Sequence, residues 1–137
     1  MRNSSTAEKY IKEHLKENLN GYQCPDNKKK IIIPHKILNI GDIVFNFMFE
    51  TTIRIHINIS KIPDESIDDV RKFIKDIPQY LYFTNISSDN ILEIYIFFVI
   101  EDDNINIMND VINYLSALIL ESQQLYPKIM KIIKSRG

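Results

Sequence analysis

The sequence is short of several things that common functions require. It has one cysteine, Cys24, so no disulfide can form within the chain and no oxidising compartment is called for. An isolated thiol beside Pro25 reads as incidental rather than nucleophilic. Three glycines are too few for a phosphate-cradling loop, which needs several in one short stretch. No serine stands in a Gly-x-Ser-x-Gly elbow. The three histidines, His14, His35 and His56, are far apart and none has a partner at metal-ligand spacing. A basic excess is also missing. The formal net charge is −1, and apart from Lys28-Lys29-Lys30 the cations are dispersed, whereas nucleic-acid affinity comes from cations gathered against phosphates. No nucleic-acid partner is expected. The longest apolar run, Ile94 to Ile100, is far short of a membrane span, and the N-terminus is polar with no secretory core, so the expected location is the cytoplasm.

What is present is an ordinary globular balance, 45% hydrophobic and 26% charged over 137 residues, which fits one domain, residues 1–137. Isoleucine dominates the apolar set, and its β-branch favours strands. No repeat, low-complexity linker or domain boundary interrupts the chain.

The patterning predicts the elements. Ser5-Thr6-Ala7-Glu8 has capping-box spacing, and Tyr10, Ile11, Leu15, Leu19 and Tyr22 follow on one helical stripe, with Gly21 as the stop. Gln23 to Lys30 reads as a loop, Ile31-Ile32-Ile33 as a short strand ended by Pro34, and Asn39 to Asp42 as a turn. Phe45, Phe47 and Phe49 then alternate with Val44, Asn46 and Met48. Ile53, Ile55, Ile57 and Ile59 alternate with Arg54, His56 and Asn58. Period-two patterning of this kind marks a hairpin with one buried face. A helix follows over Ile67, Val70, Phe73, Ile74 and Ile77, with acids in its first turns and Pro78 at its end. Tyr80–Ile86 and Ile91–Ile100 read as strands. A long helix from about Ile107 to Lys134 closes the chain, with Pro127 expected to kink or interrupt it. The order α-β-β-β-α-β-β-α implies an α+β fold, an antiparallel sheet with helices mainly on one face.

Two places could carry function. Glu101-Asp102-Asp103-Asn104 could attract a hard cation, but lacks the alternating ligands and central glycine of an EF-hand; acids ahead of a helix also serve its N-terminus. The second place is the outer sheet face, with Val44, Asn46, Met48, Arg54, His56, Asn58, Tyr95, Phe97 and Val99. A merely solvated face has no need of so many apolar groups, and aromatic residues with Met and Arg are what protein-binding surfaces enrich. Scattered surface apolar residues, or a second layer of core, would give the same pattern. The candidate contact residues are Met48, Arg54, His56, Tyr95 and Phe97.

The hairpin Val44 to Ile59, its exit through Ile62-Pro63-Asp64-Glu65 into a helix, and a strand pair from Tyr80 to Ile100 leading to the last helix with Leu125-Tyr126-Pro127 resemble the YbjN-like family of bacterial sensory transduction regulators. These share their fold with type III secretion chaperones. The resemblance spans Ser5 to Ile133. It implies non-enzymatic action, with no catalytic residue, cofactor or metal, and a homodimer that holds a segment of a protein partner, in chaperone-like or regulatory work. Two other readings stand beside it. One is a regulatory subunit of a signalling or stress system acting through its helices. The other is a metal-dependent enzyme using the acidic loop with His56.

Overall fold

A computed structural model describes residues 4–34, 42–48, 52–77, 82–101 and 106–136. Helix α1 (Ser4–Asn18) leads into strands β1 (Tyr22–Cys24), β2 (Asn27–Ile33), β3 (Ile43–Met48) and β4 (Thr52–Lys61). A single 3-10 turn, Asp64–Ser66, then opens helix α2 (Ile67–Lys75); strands β5 (Phe83–Ile86) and β6 (Ile91–Val99) and helix α3 (Ile107–Arg136) complete the chain. The fold class is α+β, as the patterning predicts, with one strand more than expected.

The sheet has six strands in the order β1-β2-β3-β4-β6-β5, and every neighbouring pair is antiparallel. Alternation decides its two faces. Ile31, Ile33, Ile43, Phe45, Phe47, Ile53, Ile55, Ile57, Ile59, Leu92, Ile94, Ile96 and Phe98 are buried on one side. They form a single cluster with Ile11 and Leu15 of α1, Val70 and Ile74 of α2, and Val111, Leu115, Leu118, Leu125 and Ile129 of α3. All three helices therefore cover the same face. Burying an aliphatic side chain there contributes roughly 1.5–3 kcal/mol, which is why the face with no polar atom to satisfy is the one covered.

Several expectations are corrected. The segment Gln23 to Lys30, expected as a loop, is mostly hairpin: Tyr22 pairs with Ile32, Gln23 with Ile31 and Cys24 with Asn27, so Pro25 and Asp26 form only its tip. Lysines on a strand that faces water disguise it. Tyr22, expected on the first helix, belongs to that hairpin, and Tyr10 is 53% exposed rather than on the buried stripe. Helix α1 begins at Ser4, so Ser5 lies inside its first turn rather than ahead of it as a cap. Pro127 sits within an uninterrupted α3. Its missing N–H costs one helical bond, and packing of Leu125 and Ile129 into the core offsets that loss. The first strand after α2 is described over Phe83–Ile86. The expected turn at Asn39–Gly41, with Phe49, Pro78, Tyr80, and Asp102-Asp103-Asn104 of the acidic loop, lies outside the described residues.

The end of α1 shows a further difference. Asn20, not Gly21, takes the left-handed conformation (φ 58), and the Gly21 N–H then donates to the Leu15 carbonyl at 2.9 Å. Gly21 is required by close approach instead, because a Cβ there would lie 3.0 Å from both Ile31 Cγ2 and the Leu15 carbonyl oxygen. Backbone cannot yield as a flexible side chain can. Gly21→Ala should therefore lose about 1 kcal/mol of stability, read as a lower urea midpoint at unchanged slope.

Candidate interaction face on the open side of the sheet

The five residues expected to make contacts, Met48, Arg54, His56, Tyr95 and Phe97, all stand on the face of the sheet opposite the helices. Strand register arranges that face in rows. One row crosses all six strands as Tyr22, Ile32, Val44, His56, Tyr95 and Phe83. The next runs Lys30, Asn46, Arg54, Phe97. The third is Met48, Thr52, Val99. Side chains opposite one another in neighbouring strands are in contact range, so each row is a continuous surface.

An aromatic group occupies one side of this surface. Phe83 stacks on Tyr95 with ring centroids 5.5 Å apart, Tyr95 meets Phe97 edge-on at 5.7 Å, and Phe83 and Phe97 are 6.5 Å apart. The rings do not bury one another: Phe97 is 47% exposed, Phe83 42%, and Val99 beside them 60%. Large apolar groups are thus left open, close together, on a face that no described helix covers.

A polar network crosses the same face. The Arg54 guanidinium lies over the Tyr95 ring at 4.3 Å from its centroid, a cation–π contact. Its Nη2 donates to Glu93 Oε1 at 3.1 Å, and Asn85 Nδ2 donates to the same oxygen at 3.4 Å. Arg54 Nη1 lies 2.9 Å from His56 Nδ1. A guanidinium can only donate, so Nδ1 accepts and the imidazole proton sits on Nε2. Burial, then the Arg54 charge, push the His56 imidazole down to about 4; Glu93 opposes the shift and Lys30 adds to it. His56 is therefore neutral at physiological pH. Arg54 is held on three sides, by a ring, a carboxylate and an imidazole, which fixes a long side chain at low entropic cost.

The charged and polar groups of this face pair with one another. The titratable side chains at the centre satisfy one another, with Nδ1 of His56 accepting from Arg54. Among the described residues no group of three His, Cys, Asp or Glu is placed to hold a metal ion. Cys24 is a free thiol on the edge strand β1. A polar link to the helix layer, from the Tyr82 hydroxyl just ahead of β5 to Glu121 at 3.2 Å, belongs to the covered side, where burial, then the Glu121 carboxylate, raise the Tyr82 hydroxyl above its ordinary range.

Phe83, Glu93, Tyr22 and Ile32 were not among the expected contact residues. Glu93 carried a signal, since it alternates in phase with Tyr95 and Phe97. Phe83 carried none, because both faces of the expected strand Tyr80–Ile86 hold apolar residues, Tyr80, Tyr82 and Ile86 on one and Leu81 and Phe83 on the other. Among the described residues, no helix is long and apolar enough to cross a membrane. No family model matches the chain, and no curated protein matches it.

Proposed function

We propose that this is a non-catalytic protein-binding domain, chaperone-like or regulatory, that captures an extended segment of a partner protein on the open face of its sheet. One observation carries the reading: an aromatic and aliphatic surface around Tyr95, Phe97 and Phe83 is left exposed on the side opposite all three helices. Its charges suit the task. Arg54 and Glu93 neutralise one another and His56 is neutral, so a guest meets ordered hydrogen-bonding groups with little desolvation of unpaired charge. The rows across the strands suit an extended guest, whose alternate side chains would fall between them.

The same reading makes the chain a cytoplasmic homodimer of the YbjN-like family. The hairpin of β3 and β4, its exit through Pro63 into α2, and a strand pair leading to a long last helix support that assignment.

The test is the double variant Tyr95→Ser/Phe97→Ser. Both rings stand on the open face, so the fold should persist, with an unchanged far-ultraviolet circular dichroism spectrum. Capture of the partner from its native lysate, compared with the unaltered protein, should be lost. Retained capture by a folded variant places the binding surface elsewhere. Light scattering on the purified chain tests the dimer, and a monomer mass at micromolar concentration would remove it.

A further inference from the structure

A second surface lies between the helices, well away from the open sheet face. Phe73 of α2 and Ile132 of α3 form the floor of a groove of about 370 Å³ whose walls are Lys128, Lys131 and Ser135. No acidic residue lines it. Lys128 and Lys131 are exposed, while Phe73 and Ile132 are half-buried between the helices.

Two ordinary uses of a surface lysine are not met here. Neither Lys128 nor Lys131 forms an ion pair among the described residues. Neither serves the helix dipole, because α3 runs on to Arg136 and that field acts only within the last turn. Lys134 accounts for that role. Lys72 and Lys75, in the last turn of α2, add exposed positive charge on the neighbouring helix, and among the described residues neither forms an ion pair.

We infer that this groove is a docking site for an amphipathic acidic segment of a partner protein, one that seats an apolar side chain between Phe73 and Ile132 and sets carboxylates against Lys128 and Lys131. Charge complementarity selects the sign of the occupant, since the walls are cationic and hold no acid. The placing of the apolar groups selects its kind. A membrane surface is entered by apolar groups that project, whereas Phe73 and Ile132 are half-buried in a shallow depression and receive a side chain instead. The site does not depend on the sheet-face reading, and the two can fail separately.

The test uses the full chain and a fluorescein-labelled helical peptide with a leucine stripe flanked by glutamates. A matched peptide carries lysines in place of the glutamates. Anisotropy should show saturable binding of the acidic peptide only, weakened by raising salt to about 0.5 M. Lys128→Glu/Lys131→Glu should weaken it by about tenfold or more. Lys128→Gln/Lys131→Gln should weaken it less, and it keeps the test decisive should the reversal variant misfold. Tyr95→Ser/Phe97→Ser should leave the affinity unchanged. No saturable binding of the acidic peptide, equal binding of both peptides, or indifference to both lysine variants overturns the proposal. So does a loss of affinity in the Tyr95→Ser/Phe97→Ser variant. Lysine-dependent binding to phosphatidylserine–phosphatidylcholine vesicles without binding of the peptide also overturns it, and assigns the groove to membranes.

Discussion

Replacing Phe45 by alanine should cost about 3–5 kcal/mol, whereas the same change at Phe97 should cost about 1 kcal/mol or less. Both phenylalanines stand in the middle of strands of one sheet. Phe45 is fully buried, between Ile31 and Ile55 on its neighbouring strands, and its removal opens a cavity that a rigid sheet cannot close. Phe97 is 47% exposed and loses only ring contacts with Tyr95 and Phe83. Urea denaturation followed by circular dichroism measures the pair, with midpoints expected to move and slopes to stay constant. Similar losses at the two positions would mean that both faces are packed, and the open-face reading would fall with them. The contrast also separates stability from function. Phe97→Ala should weaken partner capture while keeping the fold, and Phe45→Ala should lose capture only through unfolding.

Acidification should destabilise the protein through His56 in a defined window. Above pH 6.5 the imidazole is neutral in both the folded and the unfolded chain. Between 6.5 and about 4 only the unfolded chain binds the proton, because burial and the Arg54 guanidinium hold the folded group down to about 4. Stability therefore falls as pH drops through that window and this contribution levels off below it. The full shift corresponds to about 3 kcal/mol, and solvent screening of a partly accessible group lowers the expectation to about 2 kcal/mol. His56→Gln should flatten this part of the profile relative to the unaltered chain, with carboxylate titrations common to both. Arg54→Met should raise the imidazole's pKa toward its ordinary value, since the second largest cause of the shift is removed; proton NMR of the His56 ring reads this directly. A His56 that titrates near 6.5 in the folded protein would show that the imidazole is not held against Arg54.

On the proposed readings, the open sheet face and the helix groove divide two kinds of recognition. The first is broad and aromatic, with Arg54 and Glu93 paired at its centre, suited to an extended backbone with alternating side chains. The second is shallow and cationic, suited to one apolar side chain among acids. A single partner carrying both segments would gain from being held twice, since the second contact becomes intramolecular once the first has formed.

Much of the framework was legible in the residues themselves. Ile53, Ile55, Ile57 and Ile59 against Arg54, His56 and Asn58 permit only a half-buried strand, and Leu92 to Phe98 repeat the pattern. Period-two chemistry fixes which side of each strand faces the core, because misplacing even one such row would drown several aliphatic side chains and bury an arginine. It therefore also fixed that Met48, Arg54, His56, Tyr95 and Phe97 share the opposite face. The first hairpin was not legible, since Lys29 and Lys30 make the start of β2 look like a loop and Tyr22 keeps helical spacing with the helix before it.

Neighbour relations were decided only by the tertiary structure. That β6 lies between β4 and β5 depends on which edges remain free after the hairpins close, and no local pattern encodes it. This placement brings Phe83 onto Tyr95 and Glu93 to Arg54, residues 12 and 39 positions apart in the chain. It likewise sets Phe73 beside Ile132 to make the groove. Alternation along one strand is a local consequence of backbone geometry and can be read from residues in order. Contact across strands and helices depends on the packing that minimises exposed apolar surface for the whole chain at once, and it exists only when the chain is folded.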